Sequence, residues 1–345
     1  MGLLALLALT ACGAPAAQPT ATTAPVPTAT TAPVAVAPTS TSESKPAGTF
    51  SITDGTGTTL SFEQSPAKII CLYKRCTEVL ASLGVIPQAL PASMAELAKD
   101  ASYFSQPNQI VLLRETNDEI GFDLEELAAL KPDLILGWEE LRTSMNGIAQ
   151  VYAVTNDMNS YQDSHAETRA FAALLGREAE AETAINAFLD RLEAYKRLSP
   201  KDRSVMYIFF YDDKVYYRDG DSATCALLNE VAGCAWPDPA KASSWSVETS
   251  IEGLLALNPD MIIVDSYGLE AKTNDELRAS VGKNPLWQEL AAYKEQRLLL
   301  QPVGIHSMDG MGTVGAARLL DTYMPLLYPE TFPQPLTEEA IKAGQ

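Results

Sequence analysis

Aromatic and cationic side chains follow several short apolar runs that are predicted to be buried strands. A ring offers a face on which a flat ligand can stack, and a cationic group can neutralise carboxylate or catecholate oxygens. The residues in such positions are Tyr73, Lys74, Arg75, Trp138, Tyr217, Arg218, Tyr267 and His306, and Trp245 lies in a predicted loop. In open parallel sheets, ligands bind beyond the carboxyl ends of the strands. These side chains are therefore the candidate ligand-binding residues.

No catalytic motif accompanies these residues. The GxSxG nucleophile elbow, the GxxxxGK[ST] phosphate loop and the CxxC redox pair are all absent from the sequence. Residues 310–315 match the dinucleotide pattern GxGxxG, but they follow the last predicted strand instead of the first. We interpret them as the glycine-rich start of a C-terminal helix over residues 313–327. No catalytic residue is assigned, and the chain is predicted not to be an enzyme.

The chain is poor in side chains that bind metals. It contains two histidines, His165 and His306, which excludes a site of three histidines and the HExxH helix. His306 with Met308, or a tyrosine such as Tyr73 or Tyr217, could bind haem iron axially. Apart from that alternative, no metal site and no cofactor of the protein itself is predicted.

Five cysteines are present, and four of them lie in the region predicted to fold. Cys71 and Cys76 bracket a strand-to-helix turn, while Cys225 and Cys234 flank a short predicted helix. Four cysteines allow three disulfide pairings, and the sequence leaves the choice among them open.

A repeat of fifteen residues indicates two related halves. Residues 122–136 read FDLEELAALKPDLIL and residues 249–263 read TSIEGLLALNPDMII. Aligned without gaps, Glu125 meets Glu252, and both copies contain Pro-Asp before an apolar run. Each copy predicts a short amphipathic helix, a turn and a buried strand. Asp123 and Ser250 are suitable N-caps at equivalent places.

The elements around the repeat alternate between strands and helices. Strands are predicted at 68–72, 133–137, 151–154, 205–210, 215–217, 261–264 and 298–303, and helices at 77–83, 223–232 and 285–293. Residues 165–198 are predicted to be helical except for a break near Gly176. The predicted fold class is α/β: two Rossmann-like lobes with largely parallel sheets, joined by one long rigid helix. The expected boundaries are 48–160, 161–200 and 201–345.

The N-terminus reads as an export signal with a lipid attachment site. Residues 2–9 are apolar, and Leu9-Thr10-Ala11-Cys12 resembles the lipobox of bacterial lipoproteins, although no Lys or Arg precedes the apolar run. By that resemblance, Cys12 would carry the lipid after removal of the signal peptide. Residues 13–47 consist mainly of Ala, Pro, Thr, Val and Ser and are predicted to form a disordered tether. The folded part is therefore expected outside the cytoplasmic membrane, anchored by the lipid.

Charge excludes one class of partner. The chain of 345 residues has a formal net charge of −19, and a nucleic-acid-binding protein needs a basic surface. No apolar run reaches the ~20 residues of a membrane-spanning helix. We expect a monomeric folded part that meets the membrane through its lipid.

Several short segments resemble one protein family when taken together. Residues 66–72, Cys76-Thr77-Glu78-Val79-Leu80 and Leu83-Gly84-Val85 resemble the opening of the substrate-binding proteins of iron-siderophore, haem and vitamin B12 ABC importers, which are class III periplasmic binding proteins. The two repeats resemble the family's helix–L-x-P-D–strand signature. The residues 245–247 and 326–330 also fit, so the likeness covers roughly residues 66–332.

The resemblance implies a function, a ligand and partners. It implies an extracytoplasmic receptor that captures a metal chelate between two lobes and delivers it to a permease with a cytoplasmic ATPase. Cations at the cleft favour an anionic ferric siderophore; haem, a corrinoid near Trp138 and an envelope enzyme on the same scaffold are the alternatives. In the family, one glutamate on each lobe docks with the permease, and Glu125 and Glu252 are the matching positions.

Overall fold

The computed structural model of the chain describes residues 50–116, 121–154, 160–212, 214–218, 223–235, 246–265, 269–301 and 312–343. All of them belong to one compact unit. The predictions made for Cys12, for the tether 13–47 and for Trp245, Tyr267, His306 and Met308 lie outside these residues.

A short antiparallel hairpin precedes the first lobe. Strand β1 (Phe50–Thr53) pairs with β2 (Thr59–Phe62). Side chains alternate between the two faces of a strand, so Ile52 and Leu60 both point inward and join the core of the first lobe.

The first lobe is an α/β layer structure built on a parallel sheet. Its elements are β3 (Ile69–Cys71), α1 (Lys74–Ser82), β4 (Ala89–Pro91), α2 (Ala95–Lys99), β5 (Val111–Leu113), α3 (Leu124–Leu130), β6 (Leu134–Gly137), α4 (Leu141–Ser144) and β7 (Gln150–Ala153). The strand order is β5-β4-β3-β6-β7, and all neighbours are parallel. Both faces of the sheet are covered: Ile69 and Cys71 lie in one hydrophobic cluster, Ile70 and Leu72 in another.

A helical pair connects the lobes. Helix α5 (Tyr161–Leu175) ends at Gly176, whose positive φ of 66° terminates the helix where the sequence predicts a break. Helix α6 (Glu178–Leu198) has 21 residues, a length of about 30 Å. Its Ala181 packs into the core of the first lobe and its Phe188 into the core of the second.

The second lobe contains a mixed sheet. Its elements are β8 (Ser204–Tyr211), β9 (Lys214–Arg218), α7 (Ala223–Val231), β10 (Gly233–Cys234), β11 (Ser246–Thr249), α8 (Ile251–Leu257), β12 (Met261–Val264), α9 (Asn274–Val281), α10 (Ala291–Lys294), β13 (Leu298–Leu300), α11 (Thr313–Leu327) and α12 (Glu338–Lys342). The strand order is β11-β9-β8-β12-β13, with β10 beside β8. Strands β10, β12 and β13 run parallel to β8, whereas β9 and β11 add an antiparallel edge.

The sequence repeat forms the same structure in both lobes. Helices α3 and α8 each end in a left-handed residue, Lys131 and Asn258, and lead into the buried strands β6 and β12. In each Pro-Asp turn the carboxylate accepts backbone N–H groups at the start of the neighbouring central strand. Asp133 accepts from Lys68 at 2.8 Å, and Asp260 accepts from Ser204 at 2.8 Å. The predicted fold class of two α/β lobes and a long connecting helix is confirmed.

The lobes touch where α1 packs against α11. Glu78 of α1 is fully buried, and its Oε2 accepts the backbone N–H of Gly315 at 2.9 Å. The hydroxyl of Tyr103 donates to Glu78 Oε1 at 2.5 Å, and the hydroxyls of Ser82 and Thr313 are 2.6 Å apart. The Glu78–Gly315 and Ser82–Thr313 hydrogen bonds join the two lobes directly, in addition to the connecting helix, while Tyr103 holds Glu78 from within the first lobe.

The glycine-rich segment has a packing explanation. A Cβ atom at Gly312 would lie 2.5 Å from Glu78 Cβ, and one at Gly315 would lie 2.6 Å from Glu78 Oε1. Helix α11 begins at Thr313, as predicted, and these two glycines leave room for the buried carboxyl. Gly310 lies outside the described residues.

Some predicted boundaries are wrong for identifiable reasons. Helix α1 begins at Lys74, three residues earlier than predicted, because the extended backbone ends at Tyr73. Arg75 and Cys76 are buried in the first turn of this helix. The predicted helix 285–293 is a 3₁₀ segment, Pro285–Glu289, followed by α10, because Leu290 between them is extended.

Six short strands have no counterpart among the predicted ones: β1, β2, β4, β5, β10 and β11. Strands β4 and β5 have three residues each, too few for a periodic pattern to show. Strand β5 lies at the sheet edge with two of its side chains exposed, so it also lacks the continuous apolar character of a central strand.

The structure pairs the four cysteines locally. Disulfides join Cys71 to Cys76 and Cys225 to Cys234, with Cα–Cα distances of 5.8 and 5.4 Å. This is one of the three pairings that the sequence allows. Within the described ranges, no helix combines the length and the apolar character needed to cross a membrane.

Candidate functional site

Two aromatic rings lie side by side where the central strands of the first lobe end. Strands β3 and β6 are paired in register with Cys71 opposite Leu136, so Tyr73 and Trp138 occupy equivalent positions just beyond the sheet. Their ring centroids are 5.2 Å apart and their planes are tilted by 48°. Tyr73 is buried, but 36% of Trp138 is exposed. The tyrosine therefore supports one side of an indole that remains available to a ligand.

A buried charge network lies behind this ring pair. Arg75 is only 2% exposed, and its Nε lies 3.2 Å from the Tyr73 hydroxyl oxygen and 3.1 Å from Glu167 Oε2. The hydroxyl of Tyr152, on β7, donates to Glu167 Oε1 at 3.2 Å. The network thus connects α1 and α5 with the ends of β3 and β7.

The protonation of this network follows from burial and charge. Burial raises the pKa of the Tyr73 hydroxyl well above its usual value, with the Glu167 charge acting in the same direction. Burial also raises the pKa of Glu167, against the opposing effect of Arg75. Burial lowers the pKa of Arg75, but Tyr73 and Glu167 outweigh it, so the pKa is raised and the guanidinium stays charged.

Lys74 and Arg75 have different environments although both were predicted to face a ligand. Lys74 is exposed at the start of α1 and makes no ion pair with any other residue that the structure describes. Arg75 points into the lobe, so its guanidinium supports the site from behind. Glu167, the carboxylate that pairs with Arg75, is not among the predicted site residues. It lies four residues before Phe171 on the buried face of a predicted helix, a spacing that could have indicated its burial.

In the second lobe, the exposed tyrosine is not the predicted one. Tyr217 is buried in the core beside Val215, whereas Tyr216 points to the other face of β9. Tyr216 stacks on Phe209 of β8 with centroids 5.1 Å apart, and the ring of Tyr211, 64% exposed, lies 6.5 Å from it. The alternation of side chains along a strand explains the difference, since adjacent residues face opposite ways. These rings, which we call the second-lobe aromatic platform, lie near the carboxyl end of β8.

A cavity of about 500 Å³ opens beside this platform. Its lining includes Phe210, Tyr211, Leu277 and the carboxylates of Asp212 and Glu270. Two carboxylates repel a negatively charged ligand. The cavity therefore suits an anionic ligand less well than the aromatic platform does.

The side chain of Arg218, at the end of β9, and residues Trp245, Tyr267 and His306 lie outside the described part, so their roles stay predictions. The other histidine, His165, is a core residue, because its ring packs between Tyr161 and Phe188. Burial lowers its pKa to about 4. Among the described residues, no group of three or more His, Cys, Asp or Glu side chains is arranged to hold a metal ion.

The two repeated glutamates are exposed in equivalent places. Glu125 lies in the first turn of α3 and Glu252 in the first turn of α8. The helices are anchored alike, because Leu127 and Leu254 are completely buried at the matching position. The N-cap side chains of Asp123 and Ser250 accept backbone N–H groups, and thus fix both helix starts.

Comparisons with known proteins agree with this architecture. A family profile described as "Periplasmic binding protein" matches residues 69–302. The chain is 26% identical over 265 residues to the putative ABC transporter substrate-binding lipoprotein YhfQ of Bacillus subtilis, covering 71% of this chain and 78% of that one. It is 24% identical over 246 residues to the Fe(3+) dicitrate-binding periplasmic protein FecB of Escherichia coli, covering 70% and 78%.

A solved structure shares the fold. The triscatecholate siderophore binding protein FeuA from Bacillus subtilis, complexed with ferri-bacillibactin, superimposes with a TM-score of 0.61. The match covers 78% of this chain and 96% of that one at 19% identity. At this level of identity the likeness concerns the fold alone.

Proposed function

The chain belongs to the periplasmic binding protein family of ABC importers, and from this premise we propose that its solute is a ferric siderophore. The observation that carries the proposal is the partly exposed indole of Trp138, backed by Tyr73 at the carboxyl ends of two parallel strands. A catecholate or another flat chelating group can stack on such a ring. Lys74 follows Tyr73 in the chain and is exposed at the start of α1, so its ammonium would supply a positive charge.

The second-lobe aromatic platform supports the same proposal. Phe209, Tyr211 and Tyr216 present ring surface near the carboxyl end of β8. Ring surface in both lobes suits a chelate that is held from two sides. The names of the relatives FecB and FeuA, an iron-dicitrate and a siderophore binder, point to the same class of solute. The family is one of binding proteins, and no enzymatic role is proposed.

A fluorescence panel tests the ligand class. The purified chain is titrated with ferric catecholate, hydroxamate and citrate chelates, with their iron-free forms, and with haemin and cobalamin. We expect saturable quenching by a ferric chelate and weaker quenching by its iron-free form. Trp138→Ala should weaken binding about 10- to 100-fold, as the loss of an aromatic anchor does. Leu189→Ala, which truncates a side chain of comparable exposure on α6, is the matched control.

Two results would overturn the ligand assignment. Tight binding of haemin or cobalamin with no binding of any ferric chelate would move the solute to the haem or corrinoid class. Unchanged affinity of Trp138→Ala for a chelate that the unaltered chain binds would remove the ring pair from the site.

Membrane anchoring through Cys12 is part of the proposal. It is supported by the resemblance of residues 9–12 to a lipobox and by two disulfides, which are typical of proteins outside the cytoplasm. We expect Cys12→Ser to move the protein from the membrane fraction to the soluble extracytoplasmic fraction, while chelate affinity is unchanged. Cys225→Ser serves as a control for loss of a cysteine. A Cys12→Ser protein that remains in the membrane fraction would contradict the lipid assignment.

We also propose that Glu125 and Glu252 dock the loaded protein on a permease that works with a cytoplasmic ATPase. The support is their equivalent exposed position in the two repeats. The remaining partners are the chelate and the membrane, and the folded part is expected to act as a monomer.

A further inference from the structure

We propose that Glu167 is a positioning residue of the chelate site: through Arg75 and Tyr73 it fixes the ring of Trp138. The proposal rests on the function proposed above. It concerns a residue on the connecting helix pair, far in sequence from both rings.

The first step is the contact between Glu167 and Arg75. Both side chains are almost completely buried, and Arg75 Nε lies 3.1 Å from Glu167 Oε2. A charge in the interior needs a partner of opposite charge, so each residue restricts where the other can lie. Glu167 is itself held by the hydroxyl of Tyr152, whose ring packs edge-on against Phe171 at 4.7 Å. The carboxylate is therefore fixed by a strand and a helix at once.

The second step leads from Arg75 to Tyr73. The same Nε lies 3.2 Å from the Tyr73 hydroxyl oxygen, which accepts its hydrogen bond, and the guanidinium lies 5.6 Å from the ring centroid of Tyr73. Tyr73 precedes α1 in an extended conformation. The disulfide Cys71–Cys76 brackets this turn and restrains its backbone, while Arg75 restrains the hydroxyl end of the ring.

The third step leads from Tyr73 to Trp138. The two rings are in contact at 5.2 Å, and Trp138 follows Gly137, which has no side chain to support the indole. The indole is 36% exposed, and the buried ring of Tyr73 packs against it, so the orientation of Tyr73 bears directly on that of Trp138. A site with a fixed ring binds its ligand with a smaller loss of conformational freedom than a site with a mobile one.

The experiment observes Trp138 directly. The full chain is labelled with 5-fluorotryptophan, and the ¹⁹F resonances of Trp138 and Trp287 are assigned with Trp138→Phe and Trp287→Phe. Trp287 is a buried residue of the second lobe and reports on the fold as a whole. Spectra of chelate-free protein and chelate affinities are then recorded for Glu167→Gln, Tyr73→Phe and Glu182→Gln.

The three variants have distinct purposes. Glu167→Gln removes the charge at constant shape. Tyr73→Phe deletes only the hydroxyl that Arg75 contacts and keeps the ring and the Arg75–Glu167 pair, so it decides the question if Glu167→Gln does not fold. Glu182→Gln is the matched control, because its half-exposed ion pair with Arg169 also joins α5 to another element.

We expect Glu167→Gln and Tyr73→Phe to shift or broaden the Trp138 resonance, to leave Trp287 unchanged and to weaken chelate binding about tenfold. Glu182→Gln should change neither resonance nor affinity. An unaltered Trp138 resonance in both test variants, or a loss of affinity without such a change, would overturn the positioning role. If the unaltered chain binds no chelate, the proposed function fails, while the resonances of the chelate-free protein still report on how Trp138 is held.

Discussion

Two buried ionisable side chains oppose each other in their response to pH. Burial raises the pKa of Glu78 to about 7, although the hydrogen bonds from Tyr103 and Gly315 and the charge of Arg318 act against it. Burial lowers the pKa of His165 to about 4, and the charge of Arg169 acts in the same direction. Both groups are therefore held toward their neutral forms, one an acid and the other a base.

The consequences for stability have opposite signs. The folded state holds the Glu78 proton more tightly than the unfolded state, whose value is near 4.5, so stability falls as the pH rises from 4.5 to 7. For His165 the unfolded state, near 6.5, binds the proton more tightly, so stability falls as the pH decreases from 6.5 to 4. Between pH 4.5 and 6.5 the two effects oppose one another.

Single variants should reveal each effect. In the unaltered chain, ionisation of Glu78 lowers the free energy of unfolding by on the order of 3 kcal/mol between pH 4.5 and 7. Glu78→Gln should abolish this decrease, so the stability of the variant should rise with pH relative to that of the unaltered chain. His165→Phe should have the opposite effect on the slope. Urea unfolding midpoints at several pH values measure both, with Glu96→Gln as an exposed control. If the stability of all these proteins depended on pH in the same way, the shifted pKa values of Glu78 and His165 would be contradicted.

At the scale of elements, the start of α11 is shaped by a residue of α1. Gly312 and Gly315 are three residues apart, so they share one side of the helix start, and both face Glu78. A pattern that matches a dinucleotide loop thus serves a contact between two lobes. The other contacts of this interface, the Ser82–Thr313 hydrogen bond and the ion pair of Arg318 with Asp100, also join residues from different lobes.

Gly315→Ala tests which of two physical effects dominates. Helix propensity alone would make alanine more stable by up to ~1 kcal/mol. A Cβ atom 2.6 Å from Glu78 Oε1 forces a shift in a packed interface, so we expect a net destabilisation of about 1–3 kcal/mol instead. Thermal and urea unfolding provide the measurement.

A double-mutant cycle supplies the control for this prediction. In a Glu78→Ala background the obstructing carboxyl is gone, and Gly315→Ala should become neutral or stabilising. If Gly315→Ala destabilises both backgrounds equally, the cost does not arise from Glu78.

At the scale of the whole molecule, two similar lobes are held together by a helix and by a buried interface. Helix α6 contributes side chains to both cores, and Glu78 bonds α1 to α11. Such a connection limits the relative movement of the lobes. Two exposed glutamates at equivalent places would then form a pair with a defined spacing, which matters more for orientation and association rate than for tightness.

Uptake assays test this pair. Glu125→Ala and Glu252→Ala, singly and together, should strongly reduce chelate uptake in cells and leave chelate affinity in solution unchanged, because neither residue lies at the strand ends where the solute site is proposed. Glu126→Ala is the matched control, since Glu126 lies in the same helical turn but accepts the backbone N–H of Arg114. Normal uptake by the double variant would contradict the docking role and would leave both residues as carboxylates that stabilise the start of a helix.

The sequence by itself determined the architecture, because that information is local and repeated. Helix α11 and strand β12 were predicted with their observed ends, since each is a continuous apolar or amphipathic run. The repeat around Glu125 and Glu252 predicted two similar lobes, and the alternation of side chains in β9 could have indicated that Tyr216 and Tyr217 face opposite ways.

Only the tertiary structure decided which side chains meet. Arg75 looks like a ligand-binding cation in the sequence, but in the structure it is buried and paired with the carboxylate of Glu167, 92 positions later in the chain. Glu78 and Gly315 are separated by 237 residues, and the choice among three disulfide pairings also depended on where strand and helix ends lie. Burial of a charge is a property of all the elements packed around it, so no pattern within one element can reveal it.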